Sequence, residues 1–225
     1  MIVFIDNESE KGYESPWGER LMAARVRIKY RLEDLTNQPC LIVRYNKVST
    51  DLLRHYEIQA IFISGSGTDP DQYNPAEQAG MYDALRTKQW PAFGFCGGMQ
   101  AMSESFGVPI ERIGALGPNE EDPNPNFAPG YKKEFGYEPV QLLKPHPILE
   151  GLGEAPVFRH AHSWEVKSVP AGFSLYASTA TTPVQLIIHD ALPIVGTQFH
   201  PEYWTDEHPA GKILIENFCR WAGLI

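Results

Sequence analysis

Cysteine is scarce in this chain of 225 residues: Cys40, Cys96 and Cys219 are the only three. Three scattered thiols cannot build a disulfide framework, and the odd count points to a reducing, cytoplasmic setting. The opening MIVFIDNESE has neither a basic segment nor a long apolar one, so no secretory leader is expected. Long hydrophobic runs are missing too. None reaches the roughly 18 residues that a membrane span needs, and no membrane contact is expected. Positive charge is in deficit, with 19 basic against 28 acidic side chains and a net charge of −9. Such a surface repels phosphate backbones, which argues against nucleic acid as a partner. There is no G-x-x-x-x-G-K-[ST] phosphate loop, no internal repeat and no linker, so residues 1–225 read as a single domain. No motif calls for a cofactor.

What is present is a core. Hydrophobic residues make up 43% and charged residues 21%, which excludes intrinsic disorder. Short apolar runs alternate with helical patterns. MIVFID, CLIVRY, AIFIS and PAFGF read as buried strands. Leu21, Ala24, Ile28, Leu32 and Leu35 recur at helical spacing, as do residues in TDLLRHY and in 75–88. This order predicts an α/β domain of three layers, with a mostly parallel central sheet flanked by helices. Later segments (PVQLL, PVFRH, FSLYAS, PVQLIIH, PIVGTQF) predict a small antiparallel extension, and a last helix is predicted over 209–221. Between them, 117–130 (GPNEEDPNPNFAPG) has no periodicity and reads as a long exposed loop or flap, with Glu120, Glu121 and Asp122 in solvent.

Two motifs carry chemistry. In Gly94-Phe95-Cys96-Gly97-Gly98-Met99-Gln100 a strand gives way to a helix at the cysteine. A nucleophile on such a turn needs small neighbours, projects clear of the sheet, and has its thiolate favoured by the helix N-terminus. The Gly97 N–H then points to where an oxyanion would form. A buried structural cysteine at a tight turn is the alternative. In Gly196-Thr197-Gln198-Phe199-His200-Pro201-Glu202 a histidine ends a strand. Alone it reads as a core residue. With Glu202 two places on, an extended backbone puts both side chains on one side, so that the carboxylate can orient the imidazole toward a nucleophile.

GFCGGMQ, GTQFHPE and the turn ISGSGTDP together resemble the class I, triad-type glutamine amidotransferases. FIDN, EFGYEPV (Glu134 to Val140), HPILEGL, HAHSWEV (His160 to Val166) and VPAGF follow in that family's order, and the latter half is most similar to the glutaminase domain of GMP synthetases. The resemblance implies a flavodoxin-like fold and a Cys96–His200–Glu202 triad. That triad would hydrolyse the side-chain amide of glutamine through a γ-glutamyl thioester. It also implies an oxyanion hole from the amides of Ser66 and Gly97, and a substrate site at Gly65, Gln100, Phe135-Gly136-Tyr137 and His162-Ser163-Trp164. Ammonia would pass to a synthase on a separate chain. A stand-alone γ-glutamyl hydrolase or peptidase, a γ-glutamyl transferase and an inactive regulatory module are the rival functions.

The chain departs from the family pattern at Met99, where histidine is usual, and at Gly65-Ser66-Gly67, where paired glycines are usual. The first is expected to alter pocket shape. Serine hinders a peptide flip more than glycine does, so the oxyanion hole is expected to be incompletely formed until a partner orders the turn. Other polar residues have plain explanations. His160 and His162 form an H-x-H pair without an accompanying carboxylate, so no metal site is expected. Asp6 and Asn7 read as turn residues, Cys40 and Cys219 as core, and Tyr203-Trp204 either as the site mouth or as packing on the last helix.

Overall fold

The computed structural model describes residues 1–225. The first half alternates as expected: β1 (Ile2–Asp6), α1 (Glu10–Glu14), α2 (Gly18–Thr36), β2 (Cys40–Arg44), α3 (Thr50–His55), β3 (Ile61–Ile63), α4 (Pro75–Thr87), β4 (Ala92–Phe95), α5 (Gly97–Ser105) and β5 (Ile110–Arg112). The second half holds β6 (Glu134–Pro139), β7 (Gln141–Leu142), β8 (Val157–His162), β9 (Trp164–Val166), β10 (Phe173–Ser178), β11 (Leu186–His189), β12 (Ile194–Thr197) and α6 (Ala210–Trp221). No helix is long and apolar enough to cross a membrane.

Eight strands form one sheet in the order β2-β1-β3-β4-β12-β11-β10-β7. The pairs from β2 through β12 are parallel, and those from β12 to β7 are antiparallel. The parallel strands are buried on both faces, which is why their sequences are continuous apolar runs. Period two sorts them. Ile2, Phe4, Phe62, Phe93 and Phe95 join a core with Ile28 and Leu32 of α2 and Leu214, Ile215 and Phe218 of α6. Val3, Ile5, Ile61, Ile63 and Ala92 face Leu53 of α3, Met81 and Leu85 of α4, and Met99 and Met102 of α5.

Two short antiparallel ribbons, β5 with β9 and β6 with β8, stand apart from the main sheet. The predicted strand PVQLL is thereby divided. Pro139 closes β6 and offers no N–H to continue a ladder, and only Gln141 and Leu142 pair with β10. The strand order around β1 reverses direction between β2 and β3, and open α/β sheets bind ligands outside such a switch, at the carboxyl ends of the strands. Asp6 to Glu8, Ser64 to Thr68, Cys96 and Gln198 to His200 all lie at those ends.

Phe218 is fully buried, with its ring 5.0 Å from Phe93 and 5.7 Å from Phe62. Phe218→Ala is expected to lower the unfolding free energy by about 3–5 kcal/mol in urea denaturation, as for other truncated core aromatics. A loss below about 1 kcal/mol would mean that α6 does not hold this face of the sheet.

Candidate active site

At the end of β4 the backbone of Cys96 adopts φ 48° and ψ −107°, a left-handed turn that a side chain enters only under constraint. The constraint is close packing of α5 on the sheet. A Cβ on Gly98 would lie 2.4 Å from the Ile63 carbonyl oxygen, and one on Gly94 would lie 2.6 Å from the Gly98 carbonyl. The glycines are needed for this approach. Met99, the departure from the usual histidine, does not face the site. It is fully buried and packs on Gly196, where an added Cβ would sit 2.7 Å from its Cγ.

His200 leaves the sheet after β12, with its N–H donated to the Arg159 carbonyl at 2.8 Å. Residues 201–203 then form one turn of 3-10 helix. The tight turn, rather than the extended backbone predicted, brings Glu202 Oε1 to 2.7 Å from His200 Nδ1. Pro201 suits the first position of such a turn. Glu202 is buried, and Arg31 of α2 holds its carbonyl oxygen at 2.6 Å. Burial alone would lower the His200 pKa. The negative charges of Glu202 and Cys96 outweigh it and push the imidazole up to about 10. The imidazole and the sulfur are neighbours: a methyl group on Gly65 would lie 2.6 Å from His200 Cε1 and 3.6 Å from Cys96 Cβ.

The turn after β3 is braced from behind. Arg25 of α2 is buried; its Nε donates to Asp6 Oδ1 at 2.7 Å and its Nη2 to the Gly65 carbonyl at 2.9 Å. Ser64 Oγ donates to the same carbonyl at 2.8 Å. In a trans peptide the N–H points opposite to the C=O, so the Ser66 N–H is directed away from Arg25. A Cβ on Gly97 would lie 2.8 Å from the Ser66 nitrogen. The two amides therefore flank one point, and the incomplete hole expected from sequence is not found. Serine fits because its hydroxyl is used: Oγ bonds the Tyr73 hydroxyl and the Thr68 carbonyl. Glu8, fully buried, accepts the N–H groups of Gly67 at 2.6 Å and Thr68 at 3.2 Å. Asp6 and Asn7 are thus more than turn residues. Asp6 anchors Arg25 and accepts from Tyr13, and Asn7 Nδ2 donates to the Gly97 carbonyl at 3.2 Å.

The proposed substrate residues spread around this centre. Gln100 Nε2 donates to the Trp164 carbonyl at 3.1 Å and to Gln198 Oε1 at 3.2 Å. Trp164 Nε1 donates to Asp69 at 2.9 Å, and Ser163 Oγ accepts from Arg112 at 2.7 Å. Arg112 lies 4.4 Å from the ring centres of both Trp164 and Tyr131 and pairs with Asp69 at 2.6 Å. One guanidinium therefore ties the β3 turn to the 163–164 segment and the end of the 117–130 loop. Gly136 and Tyr137 lie on β6, one strand beyond Arg159, which bridges to His200. The Tyr137 hydroxyl donates to the Tyr203 carbonyl at 2.8 Å, while Phe135 is partly exposed beside Phe127 and Arg159. Tyr203 lies edge-on to His200 at 5.5 Å, whereas Trp204 packs under Arg31 at 4.2 Å, so the two aromatics divide between mouth and packing.

His162 is turned inward. Its Nε2 lies 2.8 Å from Glu134 Oε2 and its Nδ1 3.1 Å from the Trp164 carbonyl, and His160 Nδ1 lies 3.4 Å from the same carboxylate. The H-x-H pair does have an accompanying carboxylate, brought from 26 positions earlier by the β6–β8 pairing. These are the residues that could converge on a metal ion. Glu134 is already occupied: Gln185 Nε2 donates at 2.5 Å to Oε2 and Thr179 bonds Oε1. Burial would raise the Glu134 pKa, but the two histidines and Thr179 hold it well below the usual range. The cluster is a satisfied ion pair.

The 117–130 loop is also built rather than merely solvated. Asp122 accepts from the N–H groups of Asn124 and Gly130 and from the buried Lys133 at 2.7 Å, and Lys133 also donates to the carbonyls of Asn124 and Phe127. Glu120 accepts the Gly117 N–H at 2.6 Å. Cys40 and Cys219 are buried, and burial pushes both thiols up to about 12. Sequence inspection missed Glu8, Arg25, Asp69, Arg112 and Gln198. The one signal for any of them was the run of polar residues at the end of the buried strand MIVFI.

A cysteine on a strained strand-to-helix turn, at the carboxyl edge of a parallel sheet beside a histidine–glutamate pair, defines an α/β enzyme of the cysteine amidohydrolase kind. The chain belongs to the class-I glutamine amidotransferase family, whose model matches residues 27–221. The glutamine-hydrolyzing subunit of the GMP synthase of Thermococcus kodakarensis is 32% identical over 133 residues, which is 59% of this chain and 61% of that protein. The glutamine-hydrolyzing GMP synthase of Phenylobacterium zucineum is 29% identical over 189 residues, 82% of this chain and 32% of that one. The chain thus spans less than two thirds of either relative. The crystal structure of a glutamine amidotransferase from Thermotoga maritima has the same fold, with a TM-score of 0.63 and 12% identity over 99% of this chain and 98% of that one.

Two outcomes follow from the geometry. Gly65→Ala is expected to push the imidazole aside and cut turnover about 10²-fold, the scale of an ångström misplacement, with little change in melting temperature. Wild-type turnover in that variant would mean that His200 need not sit where it does. Because the His200 pKa is raised on folding, its contribution to stability is complete below about pH 6.5 and is lost as pH rises through about 10. The stability difference between the wild type and His200→Asn, from denaturant titrations, should shrink across that interval. A difference that stays level would contradict the pairing.

Proposed function

We propose that this chain hydrolyses the side-chain amide of glutamine through a Cys96–His200–Glu202 triad and delivers ammonia to a synthase on a separate chain. The observation that carries this reading is the convergence of four groups at one edge of the sheet. These are the Cys96 thiol, the His200 imidazole held by Glu202, and the unengaged amides of Ser66 and Gly97. Sulfur attacks the amide carbon, and the two amides hold the oxyanion. The imidazolium, stabilised by Glu202, gives its proton to the leaving nitrogen, and ammonia departs. His200 then takes a proton from water as that water cleaves the γ-glutamyl thioester, releasing glutamate. Relatives named as one subunit of a GMP synthase support a synthase on its own chain.

Cys96→Ala is expected to lower glutamine turnover on the order of 10⁴-fold or more, with the fold retained by circular dichroism. Cys40→Ala and Cys219→Ala should keep the rate and cost roughly 1–3 kcal/mol of stability. His200→Asn should match the loss of Cys96, and Glu202→Gln should be milder because it keeps the geometry. Activity surviving in Cys96→Ala would refute the mechanism.

The clamped Gly65–Ser66 peptide bears on partner dependence. A hole short of one donor would slow the isolated chain roughly 10²- to 10³-fold. With the Ser66 N–H already directed inward, the purified chain is expected to turn over on its own at about 10 s⁻¹. The same preformed hole also favours a second reading, a stand-alone hydrolase of γ-glutamyl compounds. Turnover of the isolated chain on glutamine and on a panel of γ-glutamyl amides separates the two. Rates a hundredfold lower on every substrate, restored by a partner, would return the reading to partner gating.

A further inference from the structure

The Cys96 sulfur has a polar neighbour besides His200. Gln198, on the strand end that leads to the histidine, is fully buried with its Nε2 3.5 Å from Sγ. The two ends of a carboxamide differ only in their hydrogens, so their assignment must come from their partners. Here the partners decide it. The Trp164 carbonyl oxygen can only accept, and it receives Gln100 Nε2 at 3.1 Å. Gln100 must therefore present its NH₂ there, and the second hydrogen of that nitrogen reaches Gln198 Oε1 at 3.2 Å. Gln198 is left with its NH₂ toward sulfur. The far end is anchored as well. His162 Nδ1 also donates to the Trp164 carbonyl, and His162 Nε2 rests on Glu134. The Gln198 main-chain N–H is fixed on the Gln185 carbonyl at 2.8 Å.

We propose that Gln198 is a further catalytic residue, whose carboxamide donates an N–H to the Cys96 sulfur whenever that sulfur carries negative charge. This deepens the amide-hydrolase reading and rests on Cys96 being its nucleophile. The donor acts at both ends of the cycle. Before attack it favours thiolate over thiol. When water adds to the thioester and the C–S bond breaks, the electron pair returns to sulfur, and Gln198 receives the leaving thiolate while His200 manages the protons. Gln100 and the Trp164 carbonyl are positioning groups, since they act by setting which end of Gln198 faces the sulfur.

The charged groups near the sulfur are His200 with Glu202 after β12, and Arg25 with Asp6 and Glu8 behind the turn after β3. Substitution at Gln198 leaves all five in place. The test is the pH dependence of Cys96 alkylation by iodoacetamide in the full chain, with Cys96→Ala as the blank for the two buried thiols. In Gln198→Leu the midpoint should rise by about one pH unit, the scale of one hydrogen bond to a charged group. The rate below the midpoint should fall about tenfold, and turnover should fall through kcat with KM little changed. Gln198→Asn draws the donor back by one methylene while keeping a polar group, and it should shift the midpoint the same way. It decides the matter if the leucine variant does not fold. A midpoint unmoved in the folded variants would overturn the proposal. A shifted midpoint in a chain that never hydrolyses glutamine would uphold Gln198 and overturn the substrate. A wild-type Cys96 that reacts only at the pH of a free thiol would overturn the nucleophile and this proposal with it.

Discussion

Arg25 is a buried guanidinium, and a buried charge must be compensated or the fold loses several kcal/mol. Its compensation reaches three parts of the chain. It sits on α2, pairs with Asp6 at the end of β1, and donates to the Gly65 carbonyl in the turn after β3. Burial and these partners act in opposite directions on the arginine, and the partners leave it more firmly charged than in water. The direction of one peptide group follows from this. With the Gly65 carbonyl held behind the turn, the Ser66 N–H can only face Gly97. Helix, strand end and oxyanion donor are one mechanical unit.

The second unit is the tight approach of α5 to the sheet. Gly94, Gly97 and Gly98 let the helix come close enough that Cys96 must turn through a left-handed conformation. The strain at Cys96 is sustained by packing of Met99, Ala101 and Met102 into the core below it. The third is the 3-10 turn at 201–203, which sets a carboxylate on the imidazole and so holds a proton near the sulfur. None of these units is complete alone. The turn is shaped against α2, the elbow against β3, and His200 against β8 and Gly65.

Polar groups in the second half serve a different purpose. Glu134, His162, the Trp164 carbonyl, Gln100 and Gln198 form a continuous line of hydrogen bonds ending at the sulfur. Each member is buried or nearly so, and an unpaired member would cost about 1–3 kcal/mol. Such a line has one self-consistent polarity, set by the backbone carbonyl that can only accept. Arg112 makes a parallel tie at the mouth, where stacking on two rings and pairing with Asp69 join segments that are far apart in sequence.

The residue order alone determined the parallel sheet, the cysteine at a strand-to-helix turn and the histidine–glutamate pair. Those features are local: apolar runs of strand length, glycines flanking one cysteine, and a proline between two partners. Tertiary structure decided what no spacing reveals. Glu8, Arg25 and Gln198 look like surface or strand residues in sequence, because their partners lie 40 to 102 positions away. Ser66 looked like a weak point because serine resists a flip; the fold needs no flip and uses the hydroxyl to anchor the turn. Glu134 and His162 looked unrelated until the ribbon of β6 and β8 set them face to face. A side chain's own type fixes its chemistry, but its charge state and direction depend on neighbours that only the folded chain supplies.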